Sequence, residues 1–273
     1  LFPFLILISC TVEPVQQKTE APTDQVRTKL GNPPAVAVPI TNHQSPITNH
    51  FEFSIEYLTG KFDPAQHPDF VLIEKKYADQ EGRYLRRDAY ESFKKMWAAA
   101  QADGVTLTIV SATRNFNMQK GIWEAKWTGK TLIENGSDAS KTYPDPKTRA
   151  LKILEYSSMP GTSRHHWGTD IDLNDLHNTT FEQGQGKKVY EWLCKQAAEY
   201  GFCQPYTEKG ERRPNGYNEE KWHWSYLPVA KKLTDLAASR LSDSMIGGFQ
   251  GSETAVQIGV VKNYVLGINK ECL

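Results

Sequence analysis

The chain has 273 residues, 39% hydrophobic and 23% charged, which is enough to bury a sizeable core in one large domain or two small ones. Its 32 basic and 32 acidic residues balance, so it offers no basic face to the phosphates of a nucleic acid. Composition therefore points away from a nucleic-acid partner.

In chain order, Leu1 to Ile8 form an apolar run. It is shorter than the roughly 20 residues that span a bilayer. It fits the central region of a secretory signal that lacks its initiator Met and basic start. Leu7-Ile8-Ser9-Cys10 matches the bacterial lipobox, in which small residues precede a cysteine that becomes lipidated. Residues 1–9 are thus expected to be a lipoprotein signal peptide, with Cys10 the lipidation site. The protein is then expected in the bacterial cell envelope, lipid-anchored to a membrane and facing the periplasm or exterior. Residues 10–50 are rich in Pro, Thr, Gln and Asn and repeat Pro-Ile-Thr-Asn-His at 39–43 and 46–50. Such a segment buries too little apolar surface to order itself and reads as a flexible tether.

The globular part is expected from 51 to 235. Apolar residues at helical spacing from Tyr84 onward predict a helix that ends at Gly104. Val105 to Ser111 predicts a strand, and a further helix starts near Asn117. Residues 129–162, with many Gly, Ser, Pro and Lys, read as a long surface loop. An amphipathic helix over Lys187 to Tyr200, a strand start at Gly201-Phe-Cys and a short strand over Trp222 to Tyr226 complete the reading. The mixture predicts an α+β fold, a small antiparallel sheet with flanking helices. Cys194 and Cys203 are the nearest pair for a disulfide, although the spacing leaves the pairing open. Residues 236–273 read as a C-terminal extension without an assigned role.

The chemistry gathers in Ser163-Arg-His-His-Trp-Gly-Thr-Asp-Ile-Asp-Leu-Asn. Alternation from Thr169 to Asn174 puts Asp170, Asp172 and Asn174 on one strand face, with His165 and His166 just ahead across Gly168. One histidine and one aspartate are half of a zinc site, because a catalytic centre takes three protein ligands and leaves one position open. Glu220-Lys-Trp-His-Trp supplies the remainder, His223 as a third ligand and Glu220 as a base.

His-x6-Asp preceded by Ser-x, and followed much later by Glu-x-Trp-His, resembles the zinc D-alanyl-D-alanine carboxypeptidases of the vancomycin-resistance type. These share a fold with lysostaphin-like endopeptidases and the hedgehog signalling domain. The resemblance covers roughly Tyr84 to Leu227. It implies His165, Asp172 and His223 as ligands of one Zn2+ per chain, with Glu220 the catalytic base. It also implies Ser163 in substrate binding. Ser111-Ala-Thr-Arg-Asn-Phe-Asn-Met-Gln resembles the family's strand-end Arg with a Gln five residues on. Arg114 is then a catalytic residue that clamps the substrate's terminal carboxylate or stabilises the oxyanion, with Gln119 beside the substrate. The family has a small residue where this chain has Asp170. His-x6-Asp favours Asp172 as the ligand and leaves Asp170 beneath the site or in contact with substrate.

The activity so implied is removal of the terminal D-alanine from peptidoglycan stem peptides, the expected partners. Three alternatives stay open: an L,D-carboxypeptidase on the same stems, a peptidoglycan endopeptidase, and a non-catalytic wall-binding domain.

Overall fold

The computed structural model describes residues Phe53–Leu273. The expected signal peptide, Cys10 and the expected tether lie outside the described residues.

The body opens with α1 (Ile55–Leu58), whose Tyr57 N–H is capped by the Ser54 side chain. β1 (Phe70–Leu72) and β2 (Tyr84–Arg86) form an antiparallel pair. α2 (Arg87–Ala102) follows β2 directly and buries Ala89, Tyr90, Phe93 and Met96 on one face. The expected helix therefore starts three residues late, because Tyr84–Arg86 is taken up by pairing with β1. β3 (Ile109–Ser111) is likewise shorter than the apolar alternation suggests. Ahead of it the Asn174 side chain bonds to the Thr106 carbonyl and the Thr108 N–H in place of a ladder.

α3 (Phe116–Trp127) is capped by Asn115. The expected long loop at 129–162 is corrected: it contains α4 (Ala139–Thr142) and α5 (Pro146–Ile153). Asp138 and Asp145 cap these helices, Pro146 opens the second, and Ala139, Ala150, Ile153 and Leu154 are buried. An Asp-Pro start followed by apolar residues three and four apart is a helix signal that the surrounding Gly, Ser and Lys obscured.

β4 (Asp170–Leu173), α6 (Gly184–Gln196), β5 (Phe202–Cys203), β6 (His223–Tyr226) and α7 (Leu227–Arg240) complete the frame, with α8 (Thr254–Ile258) beyond it. The main sheet is antiparallel throughout, in the order β3-β4-β6-β5. The protein is thus an α+β fold with small antiparallel sheets. Residues after α7 pack inward: Phe249, Ala255, Ile258, Val261 and Val265 share one apolar cluster with Trp123, Trp127 and Ile153. Cys203 pairs with Cys272, Cα atoms 5.8 Å apart, and not with Cys194. The turn Lys270–Cys272 is brought to the edge strand by the Asn269 N–H, which donates to the Pro205 carbonyl at 2.8 Å.

Candidate active site

The site is built on β4. Ile171 and Leu173 enter an apolar cluster with Ile109, Phe202 and Trp224, which leaves Asp170 and Asp172 on the opposite face. A slip of one residue would press both carboxylates into hydrocarbon, so the apolar residues fix the orientation of the acids. Antiparallel pairing then sets Asp172 opposite His223 and Asp170 opposite Ser225. His165 comes from a single 3-10 turn, Arg164–Trp167, that Gly168 ends at φ 70°. A Cβ on Gly168 would stand 2.3 Å from the Phe70 ring, so glycine is required where the turn feeds the strand.

Hydrogen bonds select the nitrogens. A carbonyl only accepts, so His165 Nδ1, 2.9 Å from the Ala112 oxygen, carries the hydrogen and leaves Nε2 facing Asp172. His165 Nε2 lies 3.3 Å from Asp172 Oδ2, and His223 Nδ1 lies 3.1 Å from Asp172 Oδ1. Glu220 Oε2 is 3.2 Å from the same His223 nitrogen. His165, Asp172, His223 and Glu220 are all buried.

Three observations fit this set to a metal. One donor atom from each of His165, Asp172 and His223 falls within a 4.8 Å span. Zinc bonds of about 2.0–2.1 Å in a tetrahedron put ligand atoms roughly 3.4 Å apart, and the two histidine nitrogens stand 3.3 and 3.1 Å from one or other Asp172 oxygen. His165 Nε2 and Asp172 Oδ1 are buried without a well-formed hydrogen bond, an expensive condition unless a cation satisfies them.

Charge agrees with geometry. Burial pushes the Asp172 carboxyl up, but His165 and His223 more than offset this and hold it well below its ordinary range. Burial raises Glu220, with His223 only partly countering it. Burial alone would lower His223, yet the carboxylates of Asp170, Asp172 and Glu220 around it carry its imidazole well above the usual value. The concentration of negative charge calls for a cation.

These groups open onto a cleft of about 630 Å³ that also presents Arg114 and Ser163. Arg114 Nε and Ser163 Oγ are buried and have no hydrogen-bond partner among the described residues. The structure therefore brings together His165, Asp172, His223, Glu220, Arg114 and Ser163. Of the two other expected substrate contacts, Gln119 and Asp170, the structure corrects the second. Gln119 is 1% exposed and donates to the Ser158 carbonyl at 2.8 Å, while its Oε1, like Ser163 Oγ, is buried with no hydrogen-bond partner among the described residues. Asp170 is 0% exposed and bonded to Arg164, Thr169, Ser225 and His223, so no substrate reaches it.

Sequence reasoning missed Tyr206 and Tyr217. The Tyr206 ring stands edge-on to His223 at 4.7 Å and to Tyr217 at 5.0 Å, and both tyrosines line the cleft. They sit in the irregular stretch between β5 and β6, where no periodicity marks them. The buried Arg213 guanidinium pins that stretch to the Asn215 and Tyr217 carbonyls.

A mixed α+β frame that presents two imidazoles and one carboxylate to a cleft, with a glutamate alongside, defines a metal-dependent hydrolase type of centre. The chain belongs to the VanY D-alanyl-D-alanine carboxypeptidase family, whose match runs over residues 82–229, more than half of its length. It is 26% identical over 189 residues to the protein YodJ of Bacillus subtilis (strain 168), covering 65% of this chain and 60% of YodJ. It is 28% identical over 136 residues to a D-alanyl-D-alanine carboxypeptidase of Enterococcus faecalis (strain ATCC 700802 / V583), covering 49% of this chain and 45% of that protein. It thus spans less than two thirds of either curated relative. A solved structure of the LdcB LD-carboxypeptidase aligns with a TM-score of 0.47 at 23% identity, covering 65% of this chain and 76% of that one.

Proposed function

We propose that the protein is a zinc-dependent D-alanyl-D-alanine carboxypeptidase that removes the terminal D-alanine from peptidoglycan stem peptides. The observation that carries this reading is the convergence of His165, Asp172 and His223 around one point, with Glu220 3.2 Å from His223 and Arg114 in the same cleft. Family membership supplies the substrate class. One Zn2+ per chain, held by the three residues, would act as a Lewis acid and lower the pKa of a water to about 7.

The chain's own residues do the rest. Glu220, its affinity for protons raised by burial, accepts the proton of the attacking water and passes it to the leaving amine. Arg114 offers a guanidinium with an unused Nε–H, suited to the free carboxylate of a terminal residue or to the developing oxyanion. Ser163 Oγ, buried and unpartnered among the described residues, is available to the peptide backbone.

The Cys203–Cys272 bond suits an oxidising compartment outside the cytoplasm, which is where the stem peptides are. No helix among the described residues is long and apolar enough to cross a membrane. Anchoring is assigned to a lipid on Cys10, with residues 10–50 as the tether.

The test is release of D-alanine from a pentapeptide stem, run beside the same peptide with an amidated end and beside a tetrapeptide. Release from the free-ended pentapeptide alone is expected. Cleavage indifferent to the amide would make the protein an endopeptidase, and release from the tetrapeptide alone would make it an L,D-enzyme. Zinc-loaded protein that hydrolyses none of them would leave a wall-binding domain.

A further inference from the structure

Asp170 faces the site from beneath, and all four of its partners are protein. Arg164 Nε lies at 3.1 Å, Thr169 Oγ1 at 2.6 Å, Ser225 Oγ at 2.8 Å and His223 Nε2 at 2.8 Å. Arg164 is itself 1% exposed. Its remaining nitrogens donate to Thr234 Oγ1 at 2.9 Å and Ser225 Oγ at 2.8 Å, and its guanidinium lies over the Trp167 ring at 4.5 Å. The small residue that the family pattern places at 170 could make none of these bonds. A carboxylate only accepts, so the contact with Asp170 puts a hydrogen on His223 Nε2. The other ring nitrogen, Nδ1, then points at Asp172 and Glu220, 3.1 and 3.2 Å away.

We propose that Arg164 and Asp170 form a buried positioning pair that fixes the ring and tautomer of His223, with Nδ1 turned to the metal, and so tightens this chain's hold on zinc. The proposal rests on the zinc reading above. A carboxylate on the far nitrogen of a ligating imidazole orients the ring and makes the near nitrogen a better donor. Arg164 makes the arrangement tenable, because an unpaired carboxylate at this depth would be strongly disfavoured.

Zinc affinity is measured by competition with a chromogenic chelator at pH 7, with melting curves to report folding. The proteins compared are the full chain, Asp170→Asn and the double variant Arg164→Met/Asp170→Ala, which leaves no buried charge alone. Both variants are expected to fold and to bind zinc about tenfold to a hundredfold more weakly. Wild-type affinity in a folded variant would overturn the positioning role and leave the zinc centre standing. A wild-type chain that takes up no zinc would overturn both. Nitrogen-15 spectra of the zinc-loaded full chain should show His223 with its hydrogen on Nε2 and its metal on Nδ1. The opposite tautomer would overturn the proposal whatever the affinities.

Discussion

His166 holds the main chain of Arg114. Its Nδ1–H donates to the Arg114 carbonyl at 2.6 Å, and its Nε2 accepts the Gly161 N–H at 3.0 Å. Both ring nitrogens are satisfied only in the neutral form, since a second proton would have to sit on Nε2 against an N–H. Burial is the largest cause that drives its pKa down, to about 3, with the Arg114 carbonyl only partly opposing it.

The sign of the pH effect follows. The folded value lies below the unfolded one of about 6.5, so the native state binds fewer protons and is favoured at higher pH. This stabilisation is complete above about pH 6.5 and is lost as pH falls toward about 3, reaching at most about 5 kcal/mol. Urea unfolding in excess chelator at pH 7 and pH 4 checks it. His166→Gln should be less stable at pH 7 and lose less on acidification. An unchanged acid dependence in the variant would remove His166 as its source.

Glu220→Gln should keep zinc, because His165, Asp172 and His223 remain, and lose about a hundredfold to ten-thousandfold in rate. Metal analysis and D-alanine release on the same sample check both halves. Loss of zinc together with rate would make Glu220 a ligand.

His223→Ala and Asp172→Ala should each lose the metal, since each removes one of three donors. Equal zinc in wild type and His223→Ala would end the assignment of the centre.

Arg114→Ala distinguishes a clamp from an oxyanion donor. As a clamp, it should cost free-ended peptides about tenfold to a hundredfold, the worth of one charge-assisted hydrogen bond of about 1.5–3 kcal/mol, and spare amidated ones. An equal loss on both would assign Arg114 to the oxyanion.

Much of the centre was legible in the sequence because its residue types are scarce and locally ordered. Period-two alternation put Asp172 on the polar face of a strand, and His165 one turn ahead of it. The pairing that sets Asp172 opposite His223 is long-range, and it became legible only through the resemblance, which linked the two motifs. Gln119 was named through the resemblance alone, because helical spacing does not say that the Ser158 carbonyl holds its side chain inward. Asp170 stayed open between a place beneath the site and a substrate contact because its neutralising partner, Arg164, lies in a different element. Tyr206 and Tyr217 carry no pattern at all, and their positions follow from the Arg213 bonds of an irregular loop. The Cys203–Cys272 pairing spans 69 residues and depends on how the chain returns to β5, which local spacing cannot encode.

That disulfide has a consequence for handling the protein. It closes a loop around Glu220 and His223, and within the loop residues 208–212 are exposed. A protease that nicks the chain there would leave two pieces covalently joined, with Asp172 and His223 still facing each other across the sheet. Trypsin-nicked protein should therefore run as one band on a gel without thiol and as two with it. It should also keep its zinc until reductant is added. A preparation judged intact by its mass under non-reducing conditions would deserve a second gel.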